Sequence, residues 1–167
     1  MKTALRYTGA FALLLVVTNV AAWDHQSTND ELNAFWAEVS RTVQEGDFYG
    51  MAATYHDDAI LVNGMSETSY PIASALKGWK PDIDRTKAGE VAASVEFRFS
   101  QRLSDETTAH ETGIFHYSAK PEDGELNEYY IFFEGLLVKK GGEWKMLMEY
   151  QRSTATAEDF AVLEPIK

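Results

Sequence analysis

Glu134 is the residue of this sequence best placed to do chemistry. It sits within Tyr130-Ile131-Phe132-Phe133-Glu134-Gly135-Leu136-Leu137-Val138, a stretch otherwise apolar or aromatic. A carboxylate buried there alone is strongly penalised, so it must be paired, hydrated or neutralised. In an apolar pocket its pKa would rise, which makes it a candidate general acid or base. The alternative is a glutamate on the outer face of a strand, paired with Arg98 or Arg152 on a neighbour. His110 and His116 share a face of one predicted strand, because an even spacing returns to the same side. On a concave face they would line a pocket and could transfer protons near neutral pH. On the other face they would be solvent-facing or structural.

Trp36, Tyr55, Trp79, Tyr130 and Phe132 could line the same pocket with rings, although core packing accounts for each of them equally well. His56 stands beside Asp57 and Asp58. Consecutive residues there point in different directions and no second ligand set with metal spacing follows, so no metal site is expected. No phosphate-cradling glycine loop, nucleophile elbow or zinc signature occurs.

Positioning these groups falls to the elements around them. Thr28-Asn29-Asp30-Glu31 reads as a capping box, and Leu32, Phe35, Trp36, Val39 and Val43 follow at helical spacing up to Gly46. Asp47 can cap a second, shorter helix that carries Phe48, Met51, Ala52 and Tyr55. A short strand is expected over Ala59 to Val62, a polar loop over Asn63 to Tyr70, and a short helix from Pro71 to about Trp79. Lys80 to Gly89, with Pro81, reads as a loop. The period then changes to two. Val91–Leu103, Thr107–Ala119, Asn127–Val138 and Trp144–Ser153 read as strands, separated by turn-forming stretches that imply antiparallel pairing. On the last strand Met146, Met148 and Tyr150 are expected on one face and Leu147, Glu149 and Gln151 on the other; which face looks inward is open. The tail from Thr154 is left unassigned. Helices first and strands afterwards make the chain α+β.

The first 22 residues read as a signal peptide: Lys2 and Arg6, an apolar core from Gly9 to Val17, then Val20-Ala21-Ala22 before Trp23. The apolar run is too short to span a bilayer. Cleavage after Ala22 would leave residues 23–167 as one domain, free of any membrane span, in a bacterial periplasm or exterior. Without Lys2 and Arg6, 13 basic residues face 26 acidic ones, a net charge of −13. Such a surface repels nucleic acid, and no nucleic-acid partner is expected. The chain has no cysteine, which removes thiolate chemistry.

Four stretches, taken in order, resemble the nuclear-transport-factor-two-like superfamily and, within it, the SnoaL-like group. They are Phe35-Trp36, Glu45-Gly46-Asp47, Tyr55-His56-Asp57-Asp58-Ala59-Ile60-Leu61, and Lys140-Gly141-Gly142-Glu143-Trp144-Lys145-Met146-Leu147. The resemblance implies a cone: a curved antiparallel sheet wrapped around the N-terminal helices, with an interior pocket and homodimers formed through the outer sheet face. It covers ketosteroid isomerases, polyketide cyclases, dehydratases, epoxide hydrolases and non-enzymatic association domains alike, so it does not select an activity. Against the steroid isomerases, the general-base position falls on Asn63, whose amide cannot take a proton from carbon. The oxyanion-stabilising acid falls on Glu134, and the tyrosine of the first helix falls near Val39, which has no hydrogen bond to donate. The expectation is therefore a pocket for a small apolar molecule, needing no cofactor. Glu134 and His116 would do acid–base work, Asn63 and Tyr55 would orient, and Trp36, Tyr130, Phe132 and His110 would line the ligand. The competing expectations are a ligand-binding protein without catalysis and an association module that dimerises.

Overall fold

The computed structural model describes residues 25–166, so the segment assigned to a signal peptide lies outside the described residues. Helix α1 (His25–Glu45) is followed by α2 (Phe48–Ala53), β1 (Tyr55–Asn63), β2 (Thr68–Pro71) and α3 (Ile72–Lys87). Four long strands come next, β3 (Val91–Ser104), β4 (Thr108–Pro121), β5 (Asn127–Lys140) and β6 (Glu143–Thr154), and a single turn of helix, α4 (Ala157–Ala161), closes the chain. The six strands form one curved sheet in the order β2-β1-β6-β5-β4-β3. All neighbours are antiparallel except β1 and β6, which run parallel. The α+β cone expected from the sequence is the fold observed.

Helix α1 lies against the concave face. Leu32, Phe35, Trp36 and Val39 are buried there, as their spacing required. The Trp36 ring packs on Phe97 at 4.5 Å and on Phe133 at 5.5 Å between centroids. Gly135 faces this ring from β5. A Cβ at that position would come within 3.3 Å of the indole, so the missing side chain leaves the space in which Trp36 lies. Gly46 ends α1 at φ +62, and a Cβ there would meet the backbone of Lys87 at 2.3 Å, so the ends of α1 and α3 touch through it.

Several boundaries differ from the sequence expectation. Thr28 does not cap α1 but lies inside it and is buried. Strand β1 begins at Tyr55, so Tyr55 belongs to a strand and not to the end of α2. The last three residues of the expected 63–70 loop, Thr68 to Tyr70, belong to strand β2, whose partner is β1. Helix α3 continues through Pro81 to Lys87. An interior proline costs about 3 kcal/mol, but Ile72, Ala75 and Leu76 before it and Ile83 after it are all buried, and that anchoring on both sides carries the helix across. The tail forms α4, with a capping box between Thr156 and Asp159. It folds back on the convex side of the sheet, where Arg98 lies over the Phe160 ring at 4.2 Å.

Candidate functional site

Between the helices and the concave face lies a cavity of about 410 Å³, within the ~300–1,000 Å³ usual for small-molecule sites. Trp36, Val39 and Val43 of α1 and Trp79, Ile83 and Thr86 of α3 form one wall. Val95, Phe97, Phe115, Ile131 and Phe133 form the sheet side. Asp82, Met65 and Tyr129, all exposed, mark the open side.

The polar centre of this apolar space is Glu149. Its Oε2 accepts a hydrogen bond from the Tyr55 hydroxyl at 2.5 Å, and its Oε1 accepts one from the Gln151 side-chain amide at 2.7 Å. Both Glu149 and Tyr55 are buried. Burial pushes the Glu149 carboxyl above its ordinary value, and the bonds from Tyr55 and Gln151 oppose that rise without cancelling it. Burial also pushes the Tyr55 hydroxyl well up, with the neighbouring Glu149 charge adding to the effect. Tyr117, across the cavity, is raised chiefly by burial and further by Asp82 and Tyr129.

Glu149 reaches the cavity because β6 does not alternate regularly. Met146 pairs with Leu137 and Met148 with Leu136, so Leu147 is an extra residue in the ladder, a β-bulge. Trp144 and Met146 face inward before the bulge. After it Glu149 and Gln151 face inward, opposite Gly135 and Phe133, while Met148 and Tyr150 face outward. The expected grouping of Met146 with Met148 and Tyr150 is thus wrong: the bulge splits it. A second bulge at Arg152 follows, between the Phe132–Ser153 and Phe133–Gln151 pairs.

The residues singled out from the sequence divide between two faces. Trp36 and Tyr55 line the cavity. Glu134, His110, His116, Tyr130 and Phe132 do not, because they occupy the convex face of β4 and β5, opposite the inward-facing Ile131, Phe133 and Glu111. Glu134 and His110 do meet there, with Nε2 and Oε2 3.0 Å apart, and Arg152 approaches Glu134 at 3.3 Å. The outer-face alternative with Arg152 is the arrangement found. His116 pairs with Glu128 at 2.9 Å, stacks on Tyr130 at 4.3 Å and is edged by Phe160. Asn63 also lies away from the cavity, where its Oδ1 accepts the Ser66 backbone N–H and orders the β1–β2 turn.

Sequence reasoning passed over Glu149 and Gln151. The test applied to Glu134, a carboxyl inside an apolar strand, would have marked Glu149 between Met148 and Tyr150 as well. It also passed over Glu111, which is fully buried against the middle of α1. Glu111 accepts from the Trp36 indole N–H at 2.5 Å and from Arg102 Nε, and Arg102 donates onward to Asn33 at 2.5 Å.

A model of the SnoaL-like domain matches residues 32–157, nearly all of the described chain. The chain belongs to the SnoaL-like family. Solved structures agree on the fold. Aln2 from a Streptomyces species is 15% identical with a TM-score of 0.63, over 77% of this chain and 92% of that one. A nuclear-transport-factor-2-like protein of unknown function from Shewanella oneidensis is 13% identical with a TM-score of 0.58, over 74% and 97%. A ketosteroid isomerase-like protein from Erwinia carotovora atroseptica is 14% identical with a TM-score of 0.54, over 72% and 92%. At these identities the SnoaL-like chain shares their fold, and its chemistry has to be argued from its own cavity. No curated protein matches it. Among the described residues no helix is long and apolar enough to cross a membrane.

Proposed function

We propose that this SnoaL-like protein is an enzyme that binds a small, largely apolar molecule in the cone and moves a proton with Glu149. The observation that carries the reading is a buried carboxyl in an apolar cavity, held by the Tyr55 hydroxyl and the Gln151 amide. Burial raises its affinity for a proton toward the range where a carboxylate is an effective base near neutral pH. Tyr55 and Gln151 fix its orientation and stabilise its charged form. Isomerisation, cyclisation, dehydration and hydrolysis each contain a proton transfer of this kind.

A benzisoxazole bearing a nitro group tests the base directly and requires no knowledge of the natural substrate. Removal of its C–H proton breaks the ring N–O bond and releases a coloured cyanophenolate. The wild type should accelerate this ring opening, and Glu149→Gln should lower the rate by about 100-fold or more. The rate should rise with pH through a midpoint above the ordinary glutamate value of 4.5. Tyr55→Phe, by removing a bond to the charged form, should move that midpoint higher still. Equal rates for wild type and Glu149→Gln would remove Glu149 from the chemistry.

One observation favours a second reading, ligand binding without turnover. Both oxygens of Glu149 already accept hydrogen bonds within the protein, and the lining is mostly apolar. Ligand affinity with no rate dependent on Glu149 is the mark of that case. Export through the residue 1–22 segment and a homodimer through the convex face belong to the same proposal. The second is supported by partly buried Phe132, Leu136, Met148 and Tyr150 around the His110–Glu134–Arg152 cluster.

A further inference from the structure

The character of the cavity lining narrows its ligand. Rings make up much of the wall, among them Trp36, Trp79, Phe115, Tyr117 and Tyr129. Among the described residues, the ionisable groups of the lining besides the tyrosines are two carboxyls, Glu149 within and Asp82 at the open side. Among the same residues, no lysine, arginine or histidine lines the space. Asp82 is exposed and its near cation, Arg85 at 3.7 Å, is itself half exposed, so Asp82 still presents negative charge at the entrance.

We infer that the cavity selects a cationic amphiphile, an amine on a compact apolar body, whose ammonium docks at Glu149 while the body packs among the rings. The inference rests on the cavity being the binding site. Three physical terms act together. An anionic ligand would meet Glu149 and Asp82 with no compensating cation, and burying an unpaired like charge is strongly disfavoured. A cation gains from the carboxylate and from aromatic faces, which attract positive charge and lose little of that attraction in a dry site. The acidic excess of the whole chain, 26 acidic against 15 basic residues, concentrates cations near the entrance. An ammonium beside Glu149 favours the charged carboxylate and so acts against the burial that raises its hold on a proton.

Three probes that share one ring system separate the terms: naphthylmethylamine, naphthalenemethanol and naphthoate. Titration calorimetry on the full chain should give the amine an affinity about tenfold or more above the alcohol, with naphthoate weakest. In Glu149→Gln the ratio of amine to alcohol should fall to within about threefold; because it is a ratio, a general weakening of the variant cancels. Asp82→Asn, at an exposed position, should lower the amine's association rate more than its affinity, and more so at low salt. Alcohol or naphthoate binding as tightly as the amine overturns the inference and leaves the cavity as a site for neutral ligands. An amine preference that survives in Glu149→Gln overturns the docking point. Failure of all three probes to bind overturns the cavity reading itself, and this inference with it.

Discussion

Glu149 and Glu134 are both carboxyls inside apolar strands, and their surroundings set them apart. Glu134 shares the convex face with His110 and Arg152 and stays in reach of water. Glu149 is enclosed, with a phenol and an amide as its hydrogen-bonding partners. This difference has a thermodynamic signature. The folded state holds the Glu149 proton more tightly than the unfolded chain does. From about the ordinary value of 4.5 upward, the folded protein therefore keeps a proton that the unfolded protein has lost. Linkage then gives a stability that falls as pH rises through that window. Carboxylates held low, such as Asp47 beside Arg41 and the Gly50 N–H, act in the opposite sense. The clean measurement is thus a difference. Urea unfolding of wild type and Glu149→Gln from pH ~4 to pH ~8 should show the wild type losing ground steadily to the variant. A constant difference across that range would mean that Glu149 is not perturbed.

Between elements, the buried cluster at Glu111 acts as a joint. It ties α1, through Trp36 and Asn33, to β3, through Arg102, and to β4. Removing the carboxyl leaves the buried indole N–H without its acceptor and takes from the half-buried Arg102 its paired carboxylate, with Asn33 remaining to it. Glu111→Ala should therefore cost about 3–5 kcal/mol, whereas Glu134→Ala, on the convex face, should cost about 1 kcal/mol or less. Chemical denaturation of the two variants side by side decides it, and equal costs would deny the cluster its role in fixing α1.

The same elements explain what could and could not be read from the sequence. Helix α1 and strands β3 to β6 were legible because each buries one face, and the apolar residues recur at the matching period. The face of Glu134 was not legible, since β5 carries large apolar residues on both sides: Ile131, Phe133 and Leu137 inward, Tyr130, Phe132, Leu136 and Val138 outward. The inward turn of Glu149 was hidden for a different reason. A bulge is a property of two strands in register, and Leu147 looks like any other strand residue until β5 is laid beside it. Helix α3 was cut short by Pro81, because tertiary burial on both sides of a proline is not a local signal.

At the scale of the whole molecule, the convex face should hold two copies together. Leu136→Glu places a charge among Phe132, Met148 and Tyr150, away from the cavity. The wild type should elute and scatter light as a dimer, and this variant as a folded monomer. A monomeric wild type would sink the dimer. Export makes a separate claim on the same chain: the mature protein recovered from outside the cytoplasm should begin at Trp23, as intact mass would show.

The parallel pairing of β1 with β6 has a consequence in time. Tyr55 and Glu149, which share the hydrogen bond at the heart of the cavity, stand 94 residues apart. Their strands are neighbours in the sheet but far apart in the chain, and such distant pairings form slowly. A chain emerging from a ribosome thus has α1 to α3 and β1 to β5 before it has Glu149. The Tyr55–Glu149 pair would be among the last things made, and a chain that stops short of residue 149 lacks both that pair and the end of β6 that joins β1 to the rest of the sheet.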